Sequence, residues 1–410
     1  MGYGHLFDRG MTDQEPIELG RQFDSPPARE GYAVKDSVGY GRAHPEATKE
    51  DDDRTRFFID IGRAIHSKQM RALYGKAQVY PSTVIEEVSN RGTHSHEVEY
   101  LGESIGRSLR LNTDLLRVSG LFHDVGHPPF GHEGETALHR WAEMHGLKFE
   151  HNDQLMRIVT RLAKRGTRRG MNFNIETLRA LDKHGTWFGW DKDAKPQPYS
   201  FLEAQVVNIA DAIEYFSGDA QDALAFGALD RESLKKSPLF AHAIEVSDGT
   251  GRELRSELIQ HLKLDLVRET RERIKQLNIR SLEDVLNASE PIVGFSPDIA
   301  EHMKHVKEFM YANMYRSGPK IPYRAAVNTL INPLCCYLHS FPNDAVREYE
   351  RFSDYTDANS IRVQAVLDYV SSLRDRDAIE WGKNIGIETE TIRLLSEVFG
   401  KTATNGNTEQ

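Results

Sequence analysis

The sequence predicts an all-α protein, and three observations carry that reading. Apolar residues recur at three- and four-residue spacing through most of the chain from about residue 54, which is the period of one helix face. Strand-like alternation is scarce, limited to short extended pieces at 77–80 and 292–295. Asn112-Thr113-Asp114 sets capping side chains between two of the periodic stretches, as a helix start requires.

The elements follow in order. Residues 1–52 are polar and rich in Gly, Pro and acids, and they end in an acidic run. They read as an N-terminal arm, either disordered or packed on a neighbouring subunit. Residues 53–230 form the core. Val98, Leu101, Ile105 and Leu109 mark one amphipathic helix, with His94 just ahead of it. Leu115, Leu116, Val118, Leu121 and Phe122 mark a second, more buried one, and Val206, Val207, Ile209, Ala210 and Ile213 a third. Residues 160–170 are a basic loop-like stretch, a solvated turn before it is a nucleic-acid contact. Residues 185–199, with Gly, Trp and Pro, read as a loop. Residues 231–400 return to helical periodicity, as in Ile361, Val363, Val366, Tyr369 and Val370, and should pack on the core. Residues 401–410 read as a frayed tail.

Composition narrows the class. The chain has 410 residues, 39% of them hydrophobic and 28% charged, so it can bury a substantial core. Its net charge of −10 argues against a protein dedicated to coating nucleic acid. Cys335 and Cys336 are its two cysteines. Neighbours rarely bridge one another, so they are expected to be reduced core thiols of a cytoplasmic protein. No apolar run suits a secretory signal or a membrane span.

Chemistry concentrates in one region. Eight of the 17 histidines fall between His94 and His151. Within 121–132 an apolar run ends in His123-Asp124, just before Gly126 and Pro128-Pro129. Asp211 interrupts an otherwise apolar helical stretch, where a carboxylate is costly to bury without a cation or hydrogen bonds. Taken singly, each residue has a structural explanation, because a His-Asp pair is usually a hydrogen bond and a lone His can cap a helix. As an ordered set, His94, His123, Asp124 and Asp211 combine imidazoles with carboxylates. That mixture suits Mn, Mg or Fe with open water positions better than a closed structural zinc site.

The order His…His-Asp…Asp resembles the HD phosphohydrolase superfamily and, within it, the dGTPase-like deoxynucleoside triphosphate triphosphohydrolases. Four blocks carry the likeness: residues 75–81, Arg91-Gly-Thr-His-Ser95, residues 123–135, and residues 202–215 with Asp219 following. Phe149-Glu-His-Asn152 adds to it, and a weaker likeness returns near 368–378. The resemblance implies an HD core and a divalent metal on His94, His123, Asp124 and Asp211. It implies catalytic roles for His132 and Glu135, with His127 and His151 beside them. It further implies substrate contacts from Arg91 and Lys183 to phosphate, and from Gln78, Tyr215 and Asp219 to the deoxyribose. Members of this family commonly assemble as tetramers or hexamers, so a homo-oligomer is expected. The chain departs from the family's pattern at Ala72, His96, Asn208 and Ala212, which weakens any transfer of base preference.

The residues are consistent with those roles. Asp211, Tyr215 and Asp219 stand at i, i+4 and i+8, one face of one helix. His132 lies three residues before Glu135, within reach of an imidazole–carboxylate dyad. Core packing would equally explain Tyr215, and a solvated helix surface would explain Asp219. The expected reaction is metal-dependent hydrolysis of a dNTP to a deoxynucleoside and inorganic triphosphate. Two other readings stay open: a different HD phosphohydrolase such as a nucleotidase or phosphodiesterase, and a dNTP-sensing or single-strand nucleic-acid-binding regulator.

Overall fold

A computed structural model describes residues 29–37, 39–46, 53–79, 89–183, 201–225, 227–315, 320–387 and 389–397. The helical periodicity becomes eighteen α-helices among the described residues. The first eight are α1 (Arg56–Ile65), α2 (Lys68–Leu73), α3 (Arg91–Leu109), α4 (Thr113–Phe122), α5 (Gly131–Glu143), α6 (His151–Arg157), α7 (Ile175–Leu181) and α8 (Leu202–Ala225). Then come α9 (Arg231–Leu234), α10 (Pro238–Thr250), α11 (Leu254–Gln276), α12 (Leu282–Leu286) and α13 (Pro297–Met310). The chain closes with α14 (Lys320–Ser340), α15 (Asp344–Tyr349), α16 (Ala358–Ser372), α17 (Asp375–Asn384) and α18 (Thr389–Glu397). The all-α fold expected from the sequence is the fold observed.

Capping chemistry sets the helix starts that matter. Asn90 caps α3 in a reciprocal box with Thr93, and the Asn112 side chain accepts from the Leu115 amide at the start of α4, satisfying otherwise orphaned N–H groups. A short connection through left-handed Arg110 turns α3 back on α4, as in an antiparallel helical hairpin. The pairing is tight: a Cβ on Gly106 would meet Leu116, and one on Gly120 would meet the Glu99 backbone at 2.8 Å. This register carries the start of α3 to the end of α4.

Three apolar clusters hold the helices. Leu101, Val206, Leu262 and Met303 join α3 and α8 to α11 and α13. Phe57, Phe122 and Phe173 pack α1 and α4 against the segment leading into α7. Leu138 and Trp141 of α5 pack against Leu330 and Leu334 of α14 and Val366 of α16, so the C-terminal helices cover the back of α5.

Several local expectations need correcting. His94 does not precede α3; it sits in its first turn, because the Asn90 cap starts the helix earlier than the apolar pattern does. The 160–170 stretch is not a plain loop. Residues Ile158–Leu162 form a π-helical turn, and Lys164–Arg165 (β1) pairs antiparallel with Arg168–Arg169 (β2) around Gly166 at φ 60°. Residues 292–295 form no strand, because the Gln205 side chain accepts from the Ile292 and Val293 amides, each at 3.0 Å. Ala77 makes a single bridge to Asn90. Cys335 is a core thiol, but Cys336 is exposed.

Residues 29–37 and 39–46 lie along the chain's own core. The Val34 amide donates to Glu203 at 3.0 Å, and Arg42 donates to the Asn172 carbonyl at 2.6 Å. The rest of the expected arm, the expected loop at 185–199 and the tail at 401–410 lie outside the described residues. No helix among the described residues is long and apolar enough to cross a membrane.

Candidate active site

The α3–α4 hairpin brings two imidazoles together: the His94 and His123 rings lie 5.4 Å apart, edge to face. Asp124 follows His123, and α8 lays Asp211 across both. His94 Nε2 is 3.0 Å from Asp211 Oδ1, and His123 Nε2 is 3.3 Å from both Asp211 Oδ1 and Asp124 Oδ1. Ligand atoms of His94, His123 and Asp124 all fall within 4.8 Å of one another. His123 Nδ1 donates to the Gly120 carbonyl at 2.7 Å, which fixes the ring and turns Nε2 toward the carboxylates. That Nε2 is buried, and neither carboxylate oxygen at 3.3 Å meets it with good hydrogen-bond geometry. A buried, oriented imidazole nitrogen facing two carboxylates is what a cation needs, so the donors fit a divalent metal.

Electrostatics keep the carboxylates charged. Burial opposes ionisation of Asp124, but His123 and Arg91 hold its carboxyl well below the ordinary range. Burial likewise opposes Asp211, and Lys183 and His123 hold it down. Lys183 was expected to meet phosphate; it donates to Asp211 Oδ2 at 2.9 Å. Arg91, expected as an open phosphate fork, is buried and donates through Nη1 to Asp124. Its Nε and Nη2 are buried without partners.

A second group of residues stands beside the first. Glu135 on α5 takes His132 Nδ1 at 3.0 Å on one oxygen and His151 Nδ1 at 2.7 Å on the other. It also accepts from the His151 amide at 2.9 Å. Burial pushes the Glu135 carboxyl up, yet the hydrogen bonds from His132 and His151 bring it well below the usual carboxylate range. The His127 ring stacks on His151 at 3.9 Å, and the His132 ring meets it edge-on at 5.0 Å. Burial and the nearby Arg91 and His151 push His127 well below the ordinary imidazole range, so it is neutral. His132 points outward with its side chain about half exposed. It faces a cleft of about 730 Å³ that Gln78, Glu135, Tyr215 and Arg324 help to line. Pockets of a few hundred cubic ångströms suit small ligands.

The row on α8 divides. The Tyr215 ring lies 6.4 Å from His132 in the cleft wall. Asp219 is buried, not a solvated surface acid, and among the described residues it is not part of that lining. Gln78 is buried with its carbonyl oxygen unpartnered. Two residues inside the family-like blocks, to which the sequence assigned no role, take part. Lys76 donates to the His127 and Ser371 carbonyls at 2.6 and 2.8 Å. Glu133 receives the Arg324 guanidinium at 2.8 and 3.0 Å at the cleft. Neither carries a spacing signal, because the partners lie 51 to 295 residues apart.

A helical bundle that gathers His94, His123-Asp124 and Asp211 at one point defines the HD class of phosphohydrolases. The HD domain family matches residues 91–215, and a phosphohydrolase-associated domain matches residues 293–384. The relatives narrow the class. A deoxyguanosinetriphosphate triphosphohydrolase-like protein of Geobacter sulfurreducens is 32% identical over 392 residues, covering 92% of this chain and 97% of its own. Proteins of the same description from Parvibaculum lavamentivorans and Thiobacillus denitrificans are 33% and 34% identical, covering 87% and 86% of this chain. The chain belongs to the deoxyguanosinetriphosphate triphosphohydrolase-like family of HD-domain phosphohydrolases.

Proposed function

We propose that the protein hydrolyses deoxynucleoside triphosphates to a deoxynucleoside and inorganic triphosphate, serving dNTP pool control. The observation that carries this reading is the outward-facing His132, backed by Glu135, set in a cleft and joined to the four-donor cluster through His127, whose ring lies 5.0 Å from that of His132 and whose Nε2 lies 3.4 Å from Asp124. A divalent cation, Mn, Mg or Fe, held by His94, His123, Asp124 and Asp211 would neutralise phosphate charge and lower the pKa of a bound water. In the reaction a water oxygen bonds to the α-phosphorus as the bond from that phosphorus to the 5′-oxygen breaks; the water oxygen stays on the triphosphate, and the proton it loses passes to solvent. His132 Nε2 delivers a proton to the departing 5′-oxygen while Nδ1 stays on Glu135. His151 shares Glu135 and, stacked with neutral His127, keeps that carboxylate aimed. Arg91 and Lys183, paired with Asp124 and Asp211, bring two cations to the carboxylates of the cluster, and that positive charge favours polyphosphate beside it. Gln78, from the segment before α3, and Tyr215 and Asp219, one turn apart on α8, suit the sugar.

Residues 53–230 then form the catalytic core and 231–400 its packed cover. A cytoplasmic homo-oligomer, tetramer or hexamer, follows from the resemblance. A second reading, contact with single-stranded nucleic acid, draws on the exposed Lys164, Arg165 and Arg168 of the hairpin; salt-dependent strand binding is its test. The main test incubates the pure protein with each of the four dNTPs and Mn, Mg or Fe(II), and resolves products by 31P NMR. Triphosphate plus nucleoside is expected. Nucleoside monophosphate plus pyrophosphate contradicts the cleavage site, and inertness to all four contradicts the substrate.

A further inference from the structure

Asp375 opens α17, in the C-terminal region, yet its carboxylate is not a solvated helix-start acid: the residue is 9% exposed. Oδ1 accepts from the Phe130 amide at 2.8 Å, and Oδ2 accepts from the Ala77 amide at 2.9 Å. Its own amide donates to the Gly75 carbonyl at 3.0 Å. One carboxylate therefore ties together two segments that are more than fifty residues apart in the sequence. Phe130 is the residue from which α5 starts, two positions before His132. Ala77 is the residue before Gln78.

The start of α5 needs such a tie. Phe130 sits in the left-handed region at φ 65°, and its side chain makes no capping bond. Gly131 follows at φ 58°, where a Cβ would meet the Gln78 carbonyl at 3.0 Å, Arg91 Nη2 at 3.1 Å and the Ala77 carbonyl at 3.2 Å. The two backbones thus lie against each other with no room for a side chain between them. Non-glycine residues rarely hold a left-handed conformation unless their surroundings impose it. Here the imposing group comes from a different region of the chain.

We infer that Asp375 is a positioning residue: by accepting from the Phe130 and Ala77 amides, it holds the His132 end of α5 and the Gln78 segment in one register. The inference rests on the functional reading above for what His132 and Gln78 do, but the contacts stand without it. It gives the phosphohydrolase-associated region a task in the site, since removing one carboxylate of α17 loosens two walls of the cleft at once. An asparagine cannot replace it. Its amide presents one acceptor and one donor, so one of the two backbone N–H groups would face another N–H.

The test compares Asp375→Asn with Asp60→Asn. Asp60 is also a buried carboxylate accepting from a backbone amide, that of Asn174 at 2.8 Å, but it lies on α1 outside the cleft lining. Steady-state kinetics with the best dNTP and metal are read beside thermal midpoints and hydrogen exchange of segments 73–79 and 126–136. Asp375→Asn should lower kcat by about tenfold or more and raise KM, since misplacement by about 1 Å can cost on the order of 100-fold. Exchange in both segments should quicken, with a midpoint loss no greater than that of Asp60→Asn. Should Asp375→Asn fail to fold, Gly75→Ala displaces the same contact, because its Cβ would meet the Arg374 side chain at 2.7 Å, and the same kinetic and exchange pattern is expected. Kinetics within about twofold of Asp60→Asn, with unchanged exchange in both segments, overturn the inference. If the wild type turns over no dNTP, the substrate reading fails, and exchange alone decides: segments no looser than in Asp60→Asn sink the positioning role.

Discussion

His132 differs from its neighbours in where its second nitrogen points. His127 and His151 are stacked and His123 is enclosed, whereas His132 gives Nδ1 to Glu135 and turns the rest of the ring to the cleft. A proton donor needs that combination of anchoring and access. His132→Ala should therefore lower kcat by on the order of 10²- to 10⁴-fold with KM little changed. A variant whose KM rises while kcat holds would make His132 a binding group instead. The metal cluster predicts something different. His123→Ala removes an oriented nitrogen, and Asp211→Asn removes the charge that links His94 to His123. Both should lose bound metal in elemental analysis of the purified protein while keeping a helical circular dichroism spectrum. Full metal occupancy in either variant would remove that residue from the ligand set.

Among the elements, the turn from α4 to α5 carries most of the chemistry, and its glycines show how closely it is pressed on its surroundings. At Gly126 a Cβ would lie 1.9 Å from the His151 carbonyl and 2.5 Å from the Leu155 amide, so the turn rests directly on the start of α6. That contact sets His127 against His151. Gly126→Ala should cost about 1–3 kcal/mol, as overpacking does, and should lower kcat through the displaced histidine stack. Urea unfolding with parallel kinetics checks it, and a variant as stable and as active as wild type would show the turn to be free to move. The legibility of this element was uneven. The His123-Asp124 pair and the His132–Glu135 spacing stood out locally, because the chemistry lies within one turn of chain. The link from Glu135 to His151 did not, since it spans 16 residues and depends on how α6 returns to α5.

For the molecule as a whole, Lys76 shows how the C-terminal helices are joined to the core. Burial pushes its ammonium down to about 7, and it has two carbonyl acceptors, His127 and Ser371, for its N–H groups. In the unfolded chain a lysine titrates near 10.4. Between those values the unfolded state binds more protons, so this group makes stability rise with pH from about 7 to about 10, by at most about 1.4 kcal/mol per pH unit. Below pH 7 both states carry the charge, and its burial cost is fully present. Wild type and Lys76→Met should therefore diverge in urea midpoint between pH 7 and 9, with wild type gaining. Parallel profiles would mean the amine stays charged in the fold. At the same scale, the apolar seam of Leu138 and Trp141 against Leu330 and Leu334 predicts that a chain ending before α14 exposes apolar surface and aggregates.

By itself the sequence determined the helical class, the helix faces and the ordered His94, His123, Asp124 and Asp211. Periodicity, capping residues and ligand identity are properties of short stretches, and they survive without the fold. Only the tertiary structure decided that Lys183 meets Asp211, that Arg91 lies buried behind Asp124, that Asp219 is enclosed, and that Asp375 reaches Ala77 and Phe130. Those contacts join residues tens to hundreds of positions apart. A side chain's partner across such distances is set by how helices pack, and no local pattern in the chain records that packing.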